Sequence, residues 1–440
     1  MKSLAQVKAS ALFLFLALAT RGVAGEFAIH DGERVVFLGD SITEQRLYTT
    51  YIEAYALTRH PGWNLTFRNV GWGGDTSWLR QRAHPDEAKL FAADEATQQG
   101  MVESSVKKGL ERDVLPLKPS FVTVKFGMND HSYQQFRPDI FGAYVRSQGQ
   151  DAKMLGSSCA RVAFLTPQPI EDNKRSDPDK DVRNESLRKF SDGLKDVAAK
   201  EKAAFVDQFD PYMAILLRER VGNPPNAIGG GDAVHPGPIG HTVMAWAVLK
   251  GLGASALVSR AELDAKAVNV VAAQGCKVDN FKTAQGNISF DRLDEALPMP
   301  IDEKAVAALK LAPIQDDLNR YELQISGLGD AGYELSIDGE VVGKVAGGDL
   351  AKGLNLATKA GPITKQAQSV LTMVFQKNDV FFNRWRNVQI YNFPDWSQGP
   401  EVEARRKGEL DRLDKQIAEL EVKINAARKP VSHHFELKAE

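Results

Sequence analysis

The sequence predicts an α/β chain: a five-stranded parallel sheet with helices on both faces, then a smaller β-containing region and a terminal helix. Three observations lead there. Short β-rich runs alternate with helical patterns from residue 34 to residue 252, apolar runs at 35–38 and 121–124 read as interior strands, and strand signals return after residue 320 with period two.

The strands of the first unit fall at 34–38, 65–70, 121–126, 161–166 and 204–206, and helical segments fill the gaps at 47–59, 97–115, 139–155, 182–200 and 239–252. Such alternation implies right-handed crossovers. The first four strands break at Gly39, Gly71, Gly127 and Pro167, so their ends run into turns, where loops above a sheet carry function. From Ser255 the character changes. Ala- and Val-rich sequence at 255–274 reads as helix, and a loop-like stretch leads to Asn319. The runs 321–325, 333–337 and 341–345, with the turn pair Asp338-Gly339, read as a small antiparallel meander. A helical stretch at 365–375 precedes the aromatic segment 381–391 with Arg384, Trp385 and Arg386, which suits packing onto the main unit or stacking of a sugar. Leu410, Leu413, Ile417, Leu420, Ile424 and Ala427 form a heptad stripe of under three heptads, open to docking on the body or to self-association. His433-His434 lack further ligands at metal-binding spacing and read as solvated.

The amino terminus reads as a secretory signal peptide over residues 1–24. Lys2 and Lys8 precede an apolar stretch from Ala9 to Ala19, too short for a membrane span, with small residues near Ala24. Its removal takes away three basic residues and no acid, leaving a mildly acidic, exported chain. With 55 basic against 57 acidic residues and no single-sign block, the sequence offers no nucleic-acid surface and no polybasic membrane contact. Cys159 and Cys276 make no disulfide scaffold; Cys159, beside the run 162–165, reads as a buried thiol or half of one bridge.

Gly39-Asp40-Ser41 ends the first strand and places a hydroxyl at the mouth of the sheet, a candidate nucleophile. Three motifs follow later strands: Asn69 to Thr76 with Gly71, Gly73 and Gly74; Gly127-Met128-Asn129-Asp130; and Asp232-Ala233-Val234-His235-Pro236. In order and placement this set resembles the blocks of the SGNH or GDSL hydrolase superfamily, across about residues 34 to 252. The resemblance implies a flavodoxin-like three-layer domain, here over 25–254; the change of character after it marks an appended region over 255–398, and the heptad stripe a helix and tail over 399–440.

A serine hydroxyl needs a base within hydrogen-bond reach. His235 is the candidate, with Asp232 three residues earlier to orient its ring; His241 competes but lies in the expected helix without a matching acid. The resemblance further implies an oxyanion hole from the Ser41 N–H, the Gly74 N–H and the Asn129 amide. Trp72 and His131 stand beside these motifs as candidate substrate contacts, and Asp40 as a brace for the nucleophile turn. The reading is an exported serine esterase without cofactor or metal, acting on a small-molecule or polysaccharide ester and, most specifically, a carbohydrate O-acetylesterase. A lipase, lysophospholipase or thioesterase is the alternative within the superfamily; a non-catalytic carbohydrate-binding protein is the alternative outside it.

Overall fold

A computed structural model describes residues 26–172, 177–220, 228, 232–329 and 331–440, so the expected leader at 1–24 lies outside the described residues. Strands β1 (Arg34–Gly39), β2 (Thr66–Asn69), β3 (Phe121–Lys125), β4 (Arg161–Leu165) and β5 (Ala204–Val206) form one sheet in the order β2-β1-β3-β4-β5, every pair parallel. This is the flavodoxin-like order, whose strand direction of growth reverses between β1 and β3 and opens a crevice beyond their carboxyl ends.

Alternation along β1 builds both layers at once. Val35 and Phe37 face the core shared with helices Leu47–Arg59, Phe209–Arg220 and Pro238–Gly251, while Val36 and Leu38 face the core under Glu95–Asp113, Pro138–Ser157 and Val182–Glu201. The five strands and five helices expected from periodicity are all present, with ends displaced by a few residues at most.

Beyond residue 255 the structure departs from the expectation. The stretch expected to be helical forms β6 (Leu257–Asp264) and β7 (Asn269–Gln274), and the stretch expected to be a loop contains β8 (Cys276–Ala284) and β9 (Asn287–Asp294). Ala and Glu favour helix locally, but β6 is claimed by parallel pairing with β10 (Arg320–Ser326), a strand far along the chain, and no local pattern announces that pairing. The expected meander is split. β10 joins a sheet in the order β13-β10-β6-β7, with β13 at Leu354–Asn355, whereas β11 (Gly332–Ile337) and β12 (Glu340–Ala346) form the expected hairpin inside a second sheet, β12-β11-β14-β9-β8. The last strand, β14 (Ser432–Ala439), lies between β9 and β11, so the carboxyl terminus closes this sheet. Leu263, Leu323 and Ile325 of one sheet meet Phe290, Leu335 and Phe435 of the other in a separate core.

His433 and His434 therefore stand on a strand and are paired, not simply solvated: His433 Nδ1 lies 2.6 Å from Asp338 and His434 Nδ1 2.6 Å from Asp291. Both cysteines are free thiols, and Cys159 is exposed instead of buried.

Helix Pro362–Phe382 packs Val370, Leu371 and Val374 into the main core against Leu47–Arg59, which is consequently buried along almost its whole length. Lys377 and Glu53 meet there at 2.5 Å, both out of solvent, and Asn378 donates to Thr50 and Glu53. Burial pushes the Glu53 carboxyl up and the Lys377 ammonium down, so desolvation outweighs the attraction of the pair. The long helix Pro400–Ala427 turns Leu413, Ile417 and Ile424 inward, so the heptad stripe is used within the chain.

Removing one partner of such a pair leaves an isolated buried charge. Lys377→Met is expected to cost about 3–5 kcal/mol in urea unfolding, and adding Glu53→Leu to recover most of it.

Candidate active site

Asp40 ends β1 by accepting the Ile42 N–H at 3.0 Å and starts the single-turn helix Ser41–Glu44. Ser41 is thus the first residue of a helix, where the backbone N–H has no partner within the helix. Its hydroxyl projects to the rim, and Ser41 Oγ lies 2.8 Å from His235 Nε2.

The His235 loop is shaped by one carboxylate. Asp232 Oδ1 accepts the Val234 and His235 backbone N–H groups at 2.8 and 2.7 Å, and Oδ2 accepts His235 Nδ1–H at 2.9 Å. That bond holds the proton on Nδ1 and leaves Nε2 free to accept from Ser41. Partial burial works to raise the Asp232 carboxyl, but the bonds from His235 and Val234 prevail and hold it below the ordinary value. The arrangement can take a proton from the serine and stabilise the resulting imidazolium.

Two expected donors keep an N–H without a partner among the described residues. Gly74 sits at φ +75°, a left-handed conformation that glycine adopts without strain. The neighbouring Gly73 N–H is taken by Glu44 Oε2 at 2.8 Å, and among the described residues no acceptor meets the Gly74 N–H. Asn129 uses one amide hydrogen on the Asp75 carbonyl at 2.9 Å, and its Oδ1 accepts the Tyr133 hydroxyl at 3.0 Å, which leaves a second N–H to donate. Asp130 ties the loops together by accepting from Ser77 and Gly127 backbone N–H groups; burial raises its carboxyl to about 6.

Other expected residues are placed differently. Trp72 has the Arg386 guanidinium 4.0 Å from its ring centroid, Arg82 and Arg112 nearby, and Trp385 against it edge to face at 6.0 Å. Its ring is half-buried, with the Arg386 guanidinium over it, so protein already takes up much of the surface expected to meet a substrate. The aromatic segment at 381–391 likewise packs, with Trp385 fully buried. His131 is 2% exposed, hydrogen-bonded through Nδ1 to the Gly127 carbonyl and packed on Tyr133 and Phe190, so it supports the Asn129 loop from beneath instead of reaching a ligand. His241 is buried and stacked on Tyr48, and both its ring nitrogens are taken, by Gln45 and by the Tyr48 N–H, so neither serves the serine hydroxyl.

Three residues escape a reading of the sequence. Lys125, at the end of β3, is buried and donates to Gln168, whose amide donates at 3.0 Å to the Val234 carbonyl, one residue before His235. A lysine closing the interior strand Phe121–Lys125 is its signal. Arg82 is wholly buried, bound to Asp75, Asp113 and the Val70 carbonyl. Glu44 joins the Gly73 N–H to Arg386.

Burial lowers His131 to about 4, so the folded protein keeps it neutral where the unfolded chain, at about 6.5, takes up a proton. Its stabilising contribution is complete above pH 6.5 and is lost as pH falls from there towards 4. His131→Gln is expected to remove about 2–3 kcal/mol of the acid loss of stability between pH 7 and pH 4, followed by denaturant midpoints.

Known proteins resemble this chain in family and fold. Residues 37–243 match the GDSL-like Lipase/Acylhydrolase family. An acetylxylan esterase of Geobacillus stearothermophilus is 26% identical over 236 residues, covering 51% of this chain and 96% of that protein. A solved structure of a gut microbial diltiazem-metabolizing enzyme superposes with a TM-score of 0.77 at 25% identity, covering 93% of this chain and 98% of that one, so its likeness extends through the C-terminal region. Through residues 37–243 the chain belongs to the GDSL-like lipase/acylhydrolase family, and it is a carboxylic ester hydrolase.

Proposed function

We propose that Ser41, His235 and Asp232 are the catalytic triad of a two-step ester hydrolysis, with Ser41, Gly74 and Asn129 supplying the oxyanion donors. The observation that carries this is the unbroken line from Ser41 Oγ to His235 Nε2 at 2.8 Å and from His235 Nδ1 to Asp232 at 2.9 Å. Ser41 Oγ attacks the ester carbonyl as its proton passes to Nε2. The carbonyl electrons move onto oxygen, between the three N–H donors. Collapse expels the alcohol, which takes the proton from Nε2, and a water activated by the same base releases the acid and restores the serine.

The substrate we propose is a carbohydrate O-acetyl ester. The acetylxylan esterase supports this, because it matches this chain across 96% of its own length. A second reading, a hydrolase of small-molecule esters, draws support from the diltiazem-metabolizing enzyme, whose likeness includes the C-terminal region. The charged, apolar and small-residue sequence of 1–24 supports export.

Ser41→Ala is expected to abolish fluorophosphonate labelling and turnover of nitrophenyl acetate with an unchanged circular dichroism spectrum; retained turnover rules out this nucleophile. Asn129→Ala is expected to lower kcat about 100- to 1000-fold. For the substrate, acetate release from acetylated xylan and other acetylated polysaccharides is compared with consumption of diltiazem. Release from no polysaccharide, or a clear preference for octanoyl over acetyl nitrophenyl esters, overturns the deacetylase reading.

A further inference from the structure

The helix Pro362–Phe382 does not end in a turn but continues into a π-helical segment, Asn383–Gln389, closed by the Ile390 N–H on the Trp385 carbonyl at 3.0 Å. Such wide turns are uncommon and are frequent at functional sites. This one carries Trp385 into the core and Arg386 over Trp72. Its position is held from the preceding helix, by Lys377 on Glu53, by Asp379 on Arg46 at 3.1 Å, and by Phe382 under the Arg46 guanidinium at 4.2 Å.

Arg386 Nε lies 3.4 Å from Glu44 Oε1, while the other oxygen of that carboxylate holds the Gly73 N–H at 2.8 Å. Glu44 is the last residue of the helix that Ser41 begins. A Cβ at Gly73 would stand 2.7 Å from Glu44 Oε2 and push the carboxylate away. The C-terminal region therefore reaches the loop beside the nucleophile through one arginine, one carboxylate and one peptide.

We propose that Arg386 is a positioning residue for the oxyanion hole: it holds and neutralises Glu44, which fixes the Gly73 peptide and so aims the Gly74 N–H at the reacting carbonyl oxygen. This rests on the reading of Gly74 as an oxyanion donor. Without the guanidinium, Glu44 is an uncompensated anion beside a site where negative charge develops during reaction. The harm falls on the transition state more than on the bound ester, so kcat suffers and KM does not.

The test is a double-mutant cycle on the full-length protein with nitrophenyl acetate. Arg386→Met is expected to lower kcat about 10- to 100-fold with KM changed less than about twofold, and Arg386→Lys to restore kcat to within about threefold of wild type. With Glu44→Gln, whose amide oxygen still accepts the Gly73 N–H without charge, Arg386→Met is expected to cost less than about threefold. An equal loss in both backgrounds shows that Arg386 does not act through Glu44 and overturns the proposal, as does an unchanged kcat in a folded Arg386→Met protein. Should the methionine variant fail to fold, Arg386→Gln runs the same cycle. Fluorophosphonate labelling separates the two levels of inference: labelling of wild type and Arg386→Met alike, with the expected kcat loss, supports the proposal. An unlabelled wild type instead sinks the serine mechanism itself.

Discussion

The loop from Val70 to Asp75 depends on a buried arginine. Arg82 has no solvent exposure, and its donors go to Asp75 at 2.8 Å, Asp113 at 2.8 Å and the Val70 carbonyl at 2.5 Å. A guanidinium is suited to this because its planar fork stays charged when desolvated and can satisfy several acceptors together. It stitches both ends of the segment from Val70 to Asp75 to the helix that ends at Asp113. Asp75 then presents its carbonyl to Asn129, so two candidate donors on separate loops are set by one cation. Burial works to raise the Asp75 carboxyl while Arg82 opposes it, the balance expected for an ion pair sealed inside.

The same guanidinium faces Trp72 and Trp385, at 5.4 and 5.6 Å from their ring centroids. Here the loop of the parallel-sheet unit and the π-helical segment of the C-terminal region share one cluster. The appended region therefore packs against the loop that holds Trp72 and Gly73 and is not a separate module on a tether. Its helix Pro362–Phe382 also covers Leu47–Arg59, so the main unit would expose a broad face, with Glu53 left unpaired, if the region were absent.

The His235 side is built from different physics. A short Asp-x-x-His turn makes its own hydrogen bonds and needs little from the rest of the chain to hold its shape. What the fold adds is its distance from the serine. Gln168 fastens the Val234 carbonyl from one side and accepts the buried Lys125 from the other, and Lys125 stands on the strand beside β1, which carries Asp40 and Ser41. Ser41 and His235 are brought together across 194 positions of sequence by packing at the ends of neighbouring strands.

Much of this is legible in the amino-acid sequence. Five strands, five helices, and the motifs at Ser41, Gly74, Asn129, Asp232 and His235 all lie where a buried face or a short turn imposes a local pattern on the residues. Strands β7 and β8 leave little trace because their side chains are largely exposed, and β6 reads as helix because its composition suits one, until pairing with a distant strand overrides it. Trp72 reads as a candidate substrate contact, yet Arg386, from the far end of the chain, lies on it. Lys125, Arg82 and Arg386 have roles that no spacing reveals, since a charged side chain acquires its partners from the tertiary fold. Local sequence determined the chemistry available at the rim; long-range packing decided which of these groups meet and which hold the others in place.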